Sequence, residues 1–133
     1  MDEPRTGIRS MAVLPCSNVA ASVAFYRDQL GFRVDGQWPD GSDPDFAIVG
    51  FGTVTIALDG HGGGVGTRQG WVVYVYLADI DSYAAQLSAN GVTIERAPED
   101  AFYGCRDMDV RDPDGNLIAF GQDLMPGPMG PGL

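Results

Sequence analysis

The chain has 133 residues, enough for one domain with a hydrophobic core, and no apolar run approaches the roughly 20 residues of a membrane span. Its net charge is −10; all eight bases are Arg, and only Glu3, Glu95 and Glu99 are glutamates, so Asp supplies most of the acid. Such a chain repels phosphate, which argues against nucleic acid or an anionic membrane as partner and favours cationic small molecules.

The polar N-terminus, MDEPRTGIRS, does not read as a signal peptide, and the expected location is cytoplasmic. Residues 1–8 read as an N-terminal extension, followed by a first module over 9–58. In it, SMAVLPC (Ser10 to Cys16) has the content of a strand. Ser17-Asn18 supplies a helix cap, Val19, Val23, Tyr26 and Leu30 keep helical spacing, and Gly31 sits at a helix stop. A strand then starts at Phe32 to Val34. Gln37 to Asp45 is a polar acidic loop holding Trp38. Phe46 to Val49 and Thr53 to Leu58 read as a hairpin joined by Gly50-Phe51-Gly52.

Residues 59–70, DGHGGGVGTRQG, read as a flexible Gly-rich connector; no Lys-Ser or Lys-Thr follows the glycines, so it is not a phosphate loop. The second module, 71–122, opens with the strand Trp71 to Leu77. Asp79 caps a helix that Asn90-Gly91 stops, and Val92 to Ile94 resume as a strand. Pro98 to Tyr103 reads as a loop. Cys105 to Val110 and Asn116 to Phe120 are strands joined by the turn Asp112-Pro113-Asp114-Gly115. Residues 123–133 read as a flexible Pro/Gly tail.

Both modules thus read strand, helix, three strands. The caps Asn18 and Asp79, and the stops Gly31 and Gly91, lie about 60 residues apart, the mark of an internal duplication. The fold class is α+β: two βαβββ repeats, each a half-cup of mixed sheet with one face for its helix and one face left over. A homodimer would pair the leftover faces.

Three segments carry a family resemblance: VLPCSNVAASVAFYRDQLGF (Val13 to Phe32), VYLADIDSYAAQLSANGV (Val75 to Val92) and YGCRDMDVRDPDGNLIAF (Tyr103 to Phe120). In these the chain resembles the vicinal oxygen chelate superfamily of glyoxalases, extradiol dioxygenases and bleomycin resistance proteins, and most of all its metal-free bleomycin-resistance-like branch. The resemblance places the family's metal-ligand positions at Met11, Thr55 or Ala57, Val72 and Ala119. None of these side chains offers the imidazole or carboxylate that a divalent cation wants. No metal and no cofactor are expected.

Strand alternation puts Val72, Tyr74 and Tyr76 on the ligand face and Trp71, Val73 and Val75 on the helix side. The expected ligand-binding set is Met11, Trp38, Phe46, Val72, Tyr74, Tyr76, Tyr103 and Ala119. Such aromatic walls suit a flat, partly apolar, cationic molecule. Asp40, Asp43 and Asp45, with Asp107 or Asp109, are the acids available to meet its charge. Arg106 is expected to pair with an aspartate, and Asp112 and Asp114 to build their turn. His61 is expected in solvent, and Cys16 and Cys105 as reduced, partly buried thiols.

The resemblance implies a metal-independent small-molecule-binding protein, with a cationic or aromatic antibiotic as the ligand class. The alternative is a metal-free isomerase, cyclase or lyase of the same fold, with a metal-dependent lyase or dioxygenase third. No pair of catalytic residues is picked out by spacing, and the reading leans away from an enzyme.

Overall fold

A computed structural model describes residues 5–62 and 70–125. Most of the Gly-rich connector and of the Pro/Gly tail, 63–69 and 126–133, lies outside the described residues. The first half runs β1 (Ala12–Pro15), α1 (Val19–Ala24), β2 (Arg33–Trp38), β3 (Phe46–Phe51) and β4 (Val54–Asp59). The second repeats it as β5 (Trp71–Tyr76), α2 (Ile80–Ala89), β6 (Ile94–Asp100), β7 (Cys105–Arg111) and β8 (Leu117–Asp123). Each half forms a four-stranded mixed sheet of the same order, β1-β4-β3-β2 and β5-β8-β7-β6. In each, the first strand lies parallel to the last and the remaining pairs are antiparallel.

The helix signals act as the sequence implies. Asn18 accepts from the Ala21 amide at 3.0 Å and Asp79 from the Ser82 amide at 3.1 Å, so each side chain satisfies a donor that the first helical turn leaves free. Gly31 and Gly91, at φ +85° and +82°, end the helical segments in a conformation that costs a side-chain-bearing residue energy. Between Ala24 and Gly31 the helix widens into a π-turn, Phe25–Gln29.

One apolar cluster serves both halves. Leu14, Val23, Tyr26, Leu30, Val49 and Ile56 of the first join Val75, Leu87, Met108, Ile118 and Phe120 of the second. Rings bridge the seam: Phe32 stacks on Phe51 at 4.7 Å, Phe51 meets Tyr83 at 5.4 Å, and Tyr83 meets Phe120 edge-on at 5.1 Å. The Tyr83 hydroxyl donates to the Leu30 carbonyl at 2.6 Å, which satisfies its polar tip inside the core.

The Asp112-to-Gly115 turn fastens the second half onto the first. Asp112 accepts from the amides of Asp114 and Asn116 at 3.0 and 2.9 Å, which closes the turn. Its other oxygen takes the buried Tyr26 hydroxyl at 2.8 Å. Asp114 accepts from the Ser17 amide and hydroxyl, both at 2.8 Å, and Asn116 donates to the Pro15 carbonyl at 3.0 Å. The expected turn is therefore also a clasp.

Three boundaries differ from expectation, the first being β2, which continues through Gln37 and Trp38, paired with Ala47 and Phe46, where the acidic loop was expected to begin. Strand β3 continues through Gly50 and Phe51, and the turn falls at Gly52-Thr53. Phe51 stays extended because its ring packs between Phe32 and Tyr83. Strand β6 runs on through Pro98 to Asp100 where a loop was expected. It is an edge strand with irregular pairing, where a missing amide donor is tolerated. Among the described residues, no helix is long and apolar enough to cross a membrane.

Candidate functional site

The helices and core cover one face of each sheet; the other faces carry the candidate site. In the second half, paired residues share a face, so Tyr74 with Ala119 and Tyr76 with Gly121 stand opposite the core pairs Val73–Ile118 and Val75–Phe120. A β-bulge interrupts simple alternation: pairing steps from Trp71–Leu117 to Val73–Ile118, two residues of β5 against one of β8. The bulge corrects the expected facing of two residues. Trp71 joins the tyrosines on the open face, its ring 5.3 Å from Tyr74, while Val72 packs against the core.

Tyr74 and Tyr76 continue the row at 4.9 Å between ring centroids. Trp71 is 46% exposed and Tyr76 47%, so aromatic surface faces outward. Ala119, fully buried, and Gly121 form the floor beneath these rings. A methyl on Gly121 would lie 2.0 Å from the Tyr74 hydroxyl oxygen, so only a bare backbone lets this ring cross β8.

The Tyr74 hydroxyl reaches Asp107 on β7 at 3.0 Å. Asp107 is 1% exposed, and the same oxygen accepts from the Tyr103 hydroxyl. Its other oxygen receives Arg96 of β6 at 2.7 Å. Arg96 also grips Asp109 with two nitrogens, each at 3.0 Å, and Glu99 at 2.9 Å. The Trp71 indole N–H donates to Asp109 at 2.9 Å. A buried carboxylate is tolerable only when paired and hydrogen-bonded, and Asp107 is both. Three carboxylates surround one guanidinium here, so the floor stays net negative.

This environment holds the phenols neutral. Burial first, then hydrogen bonds to Cys105 and Asp107, raise the Tyr74 pKa far above the ordinary phenol range. Tyr103 is pushed up to about 12 by burial and by Asp107. The guanidinium of Arg96 is held charged, chiefly by its hydrogen bond to Asp109.

In the first half, Met11 lines a cavity of about 430 Å³ together with Arg9, Ser10, Asp35, Ile48 and Thr55. Trp38, 52% exposed, tilts against Phe46 at 6.0 Å at the end of β2. Tyr74, Tyr76 and Tyr103 are thus brought together on one sheet, while Met11, Trp38 and Phe46 belong to the other. Thr55, named above as a possible metal-ligand position, lines the same cavity, and sequence reasoning missed Arg96 and Trp71, along with Arg9, Asp35 and Ile48. Of these only Arg96 left a signal, a lone base on a strand beside an acidic one.

A model of the Glyoxalase/Bleomycin resistance protein/Dioxygenase superfamily matches residues 8–120. The chain belongs to this superfamily. Among solved structures it is similar to TioX from Micromonospora sp. ML1, at 23% identity and TM-score 0.74, over 89% of this chain and 100% of that one. It is similar also to TnmS3, an antibiotic-binding protein from Streptomyces sp. CB03234, at 21% identity and TM-score 0.69, over 90% and 99%. The bleomycin-binding protein of Streptomyces verticillus, solved with copper(II)-bleomycin, shares 23% identity at TM-score 0.61, over 86% and 95%. These likenesses establish the fold. No curated protein matches the chain.

Of the superfamily's metal-ligand positions, Met11 lies on the first-half cavity, Val72 in the core contact and Ala119 under the aromatic row. Among the described residues, no group of three or more His, Cys, Asp or Glu side chains is placed to hold a metal ion. His61 is exposed and contacts Asp59 at 3.3 Å. Arg106 pairs with Asp81 and Asp100, at 3.0 and 3.1 Å. Cys16 and Cys105 are buried free thiols, and burial pushes Cys16 up to about 11, away from thiolate chemistry.

Proposed function

We propose that this member of the superfamily binds a small cationic, aromatic molecule without a metal, and that its biological ligand is an antibiotic it sequesters. The observation that carries the reading is the row Trp71, Tyr74 and Tyr76 laid over the carboxylates Asp107 and Asp109. Exposed ring faces attract a cation and a planar ring, and a net-negative floor adds long-range attraction. Two of the structural neighbours are described as antibiotic- or bleomycin-binding, which favours the same class of ligand here.

Binding is favoured over metal-free acid–base catalysis by the state of the tyrosines. Raised pKa values keep Tyr74 and Tyr103 protonated, so neither is poised to abstract a proton near neutral pH. The superfamily's metal-ligand positions hold no imidazole or carboxylate, which supports metal independence.

The working form is a homodimer. Met11, Val13, Trp38, Trp71 and Tyr76 leave apolar surface exposed on the open faces of both sheets. A two-fold contact covers such surface and joins the first half of one chain to the second half of its partner.

The test is tryptophan fluorescence, since Trp38 and Trp71, one on each half, are the only two tryptophans. In buffer with excess EDTA, 1-naphthylmethylamine should quench the protein saturably. Quenching should weaken in Trp71→Phe and in Asp109→Asn. An unchanged spectrum, or binding that EDTA abolishes, would overturn the reading.

A further inference from the structure

The two half-cups differ in charge, and the difference assigns a second ligand chemistry. Among the described residues, Arg27, Arg33, Arg96, Arg106 and Arg111 each contact a carboxylate. Arg9, like Arg5, makes no such pair, although acids outnumber bases 18 to 8 in the chain. It stands on the wall of the first-half cavity of about 430 Å³. The one acid on that wall, Asp35, is already engaged by Arg33 at 2.8 Å. Arg9 is therefore the wall's one charge without an opposite partner, beside Ser10 and Thr55 as neutral donors and Met11 and Ile48 as apolar surface.

We infer that the first-half cavity is a subsite for an aromatic anion, a carboxylate or sulfonate on an apolar ring, with Arg9 as its anchor. A guanidinium offers two parallel N–H donors matched to such a group, and Ser10 and Thr55 hydroxyls supply further donors. The volume is in the range of small-molecule sites and accommodates a fused bicyclic ring against Met11 and Ile48. The inference rests on the reading of the open faces as ligand surface and deepens it. A compound with a basic group at one end and an acidic group at the other matches both half-cups, the basic end on Asp109 and the acidic end on Arg9.

The experiment uses two probes on the full chain, 1-naphthoate and 1-naphthylmethylamine, each followed by amide chemical shifts. Naphthoate should move Ile48 and Thr55, and Arg9→Gln should weaken it about tenfold, the loss of one charge-assisted hydrogen bond. Arg9→Lys should restore part of that affinity, because the charge returns without the fork. Naphthylmethylamine should move Tyr74 and Asp109 and be indifferent to Arg9→Gln. Naphthoate that fails to bind, binds equally to Arg9→Gln, or moves only second-half amides would overturn the subsite. If naphthylmethylamine fails while naphthoate binds through Arg9, the subsite stands and the cationic reading of the second half falls.

Discussion

The Tyr74 hydroxyl donates to the Asp107 carboxylate at 3.0 Å, spanning from β5 across β8 to β7. This bond ties the aromatic row to the charged floor, so cup shape and cup charge are set together. Asp107 is also the meeting point of Tyr103 and Arg96, and it is removed from water. Replacing Asp107 with Ala should destabilise the fold by about 3 kcal/mol, the low end for breaking a buried ion pair, because Arg96 keeps Asp109 and Glu99. Urea denaturation checks this; a loss under about 1 kcal/mol would show that the network is dispensable.

Gly121 positions Tyr74. In Gly121→Ala the new methyl would meet the ring at 2.0–2.7 Å, and the hydroxyl must leave Asp107. Overpacking of this kind costs about 1–3 kcal/mol. The variant should fold, lose affinity for 1-naphthylmethylamine, and show a tyrosine titrating closer to the ordinary range. Unaltered binding would mean that the ring's placement is immaterial.

Alkaline stability follows from the same phenols. Tyr103 rises from 10.0 to about 12 in the folded chain, and Tyr74 rises too. A raised folded pKa means that the folded state holds its proton longer than the unfolded one. The contribution is complete below about pH 10 and drains away as pH climbs toward 12. Stability should therefore fall across that window, and Asp107→Asn should flatten the fall. Absorbance at alkaline pH would show late titration of Tyr74 and Tyr103 along with Tyr26, Tyr76 and Tyr83, which are raised too, and the difference between wild type and Asp107→Asn would isolate the first two.

The repeat was legible in the sequence because local chemistry writes it: Asn18 and Asp79 cap, Gly31 and Gly91 stop, and the Asp112 turn closes on its own amides. The facing of Trp71 was not, because a bulge changes alternation only through pairing with β8. Arg96 was missed for a similar reason. Its partners on β7 are 11 and 13 residues away, and their approach depends on an irregular register. Arg9 carries no motif; its place on a cavity wall comes from the fold around it.

The dimer is tested by sedimentation velocity. Val13 lies on the open face of β1, half exposed and beside Ala57 in register. The wild-type chain should sediment as a dimer at micromolar concentration. Val13→Asp should shift it toward monomer with its secondary structure intact, since no core packing is disturbed. A monomeric wild type would contradict the shared cup.

The most direct test of the central claim, metal-independent capture of a cationic aromatic compound, is calorimetric titration with metal-free bleomycin in excess EDTA, at low and at moderate salt. Saturable heat at one drug per subunit is expected, weakening as salt screens the carboxylate floor. No heat at either salt, or heat that appears only after a divalent metal is restored, would contradict it.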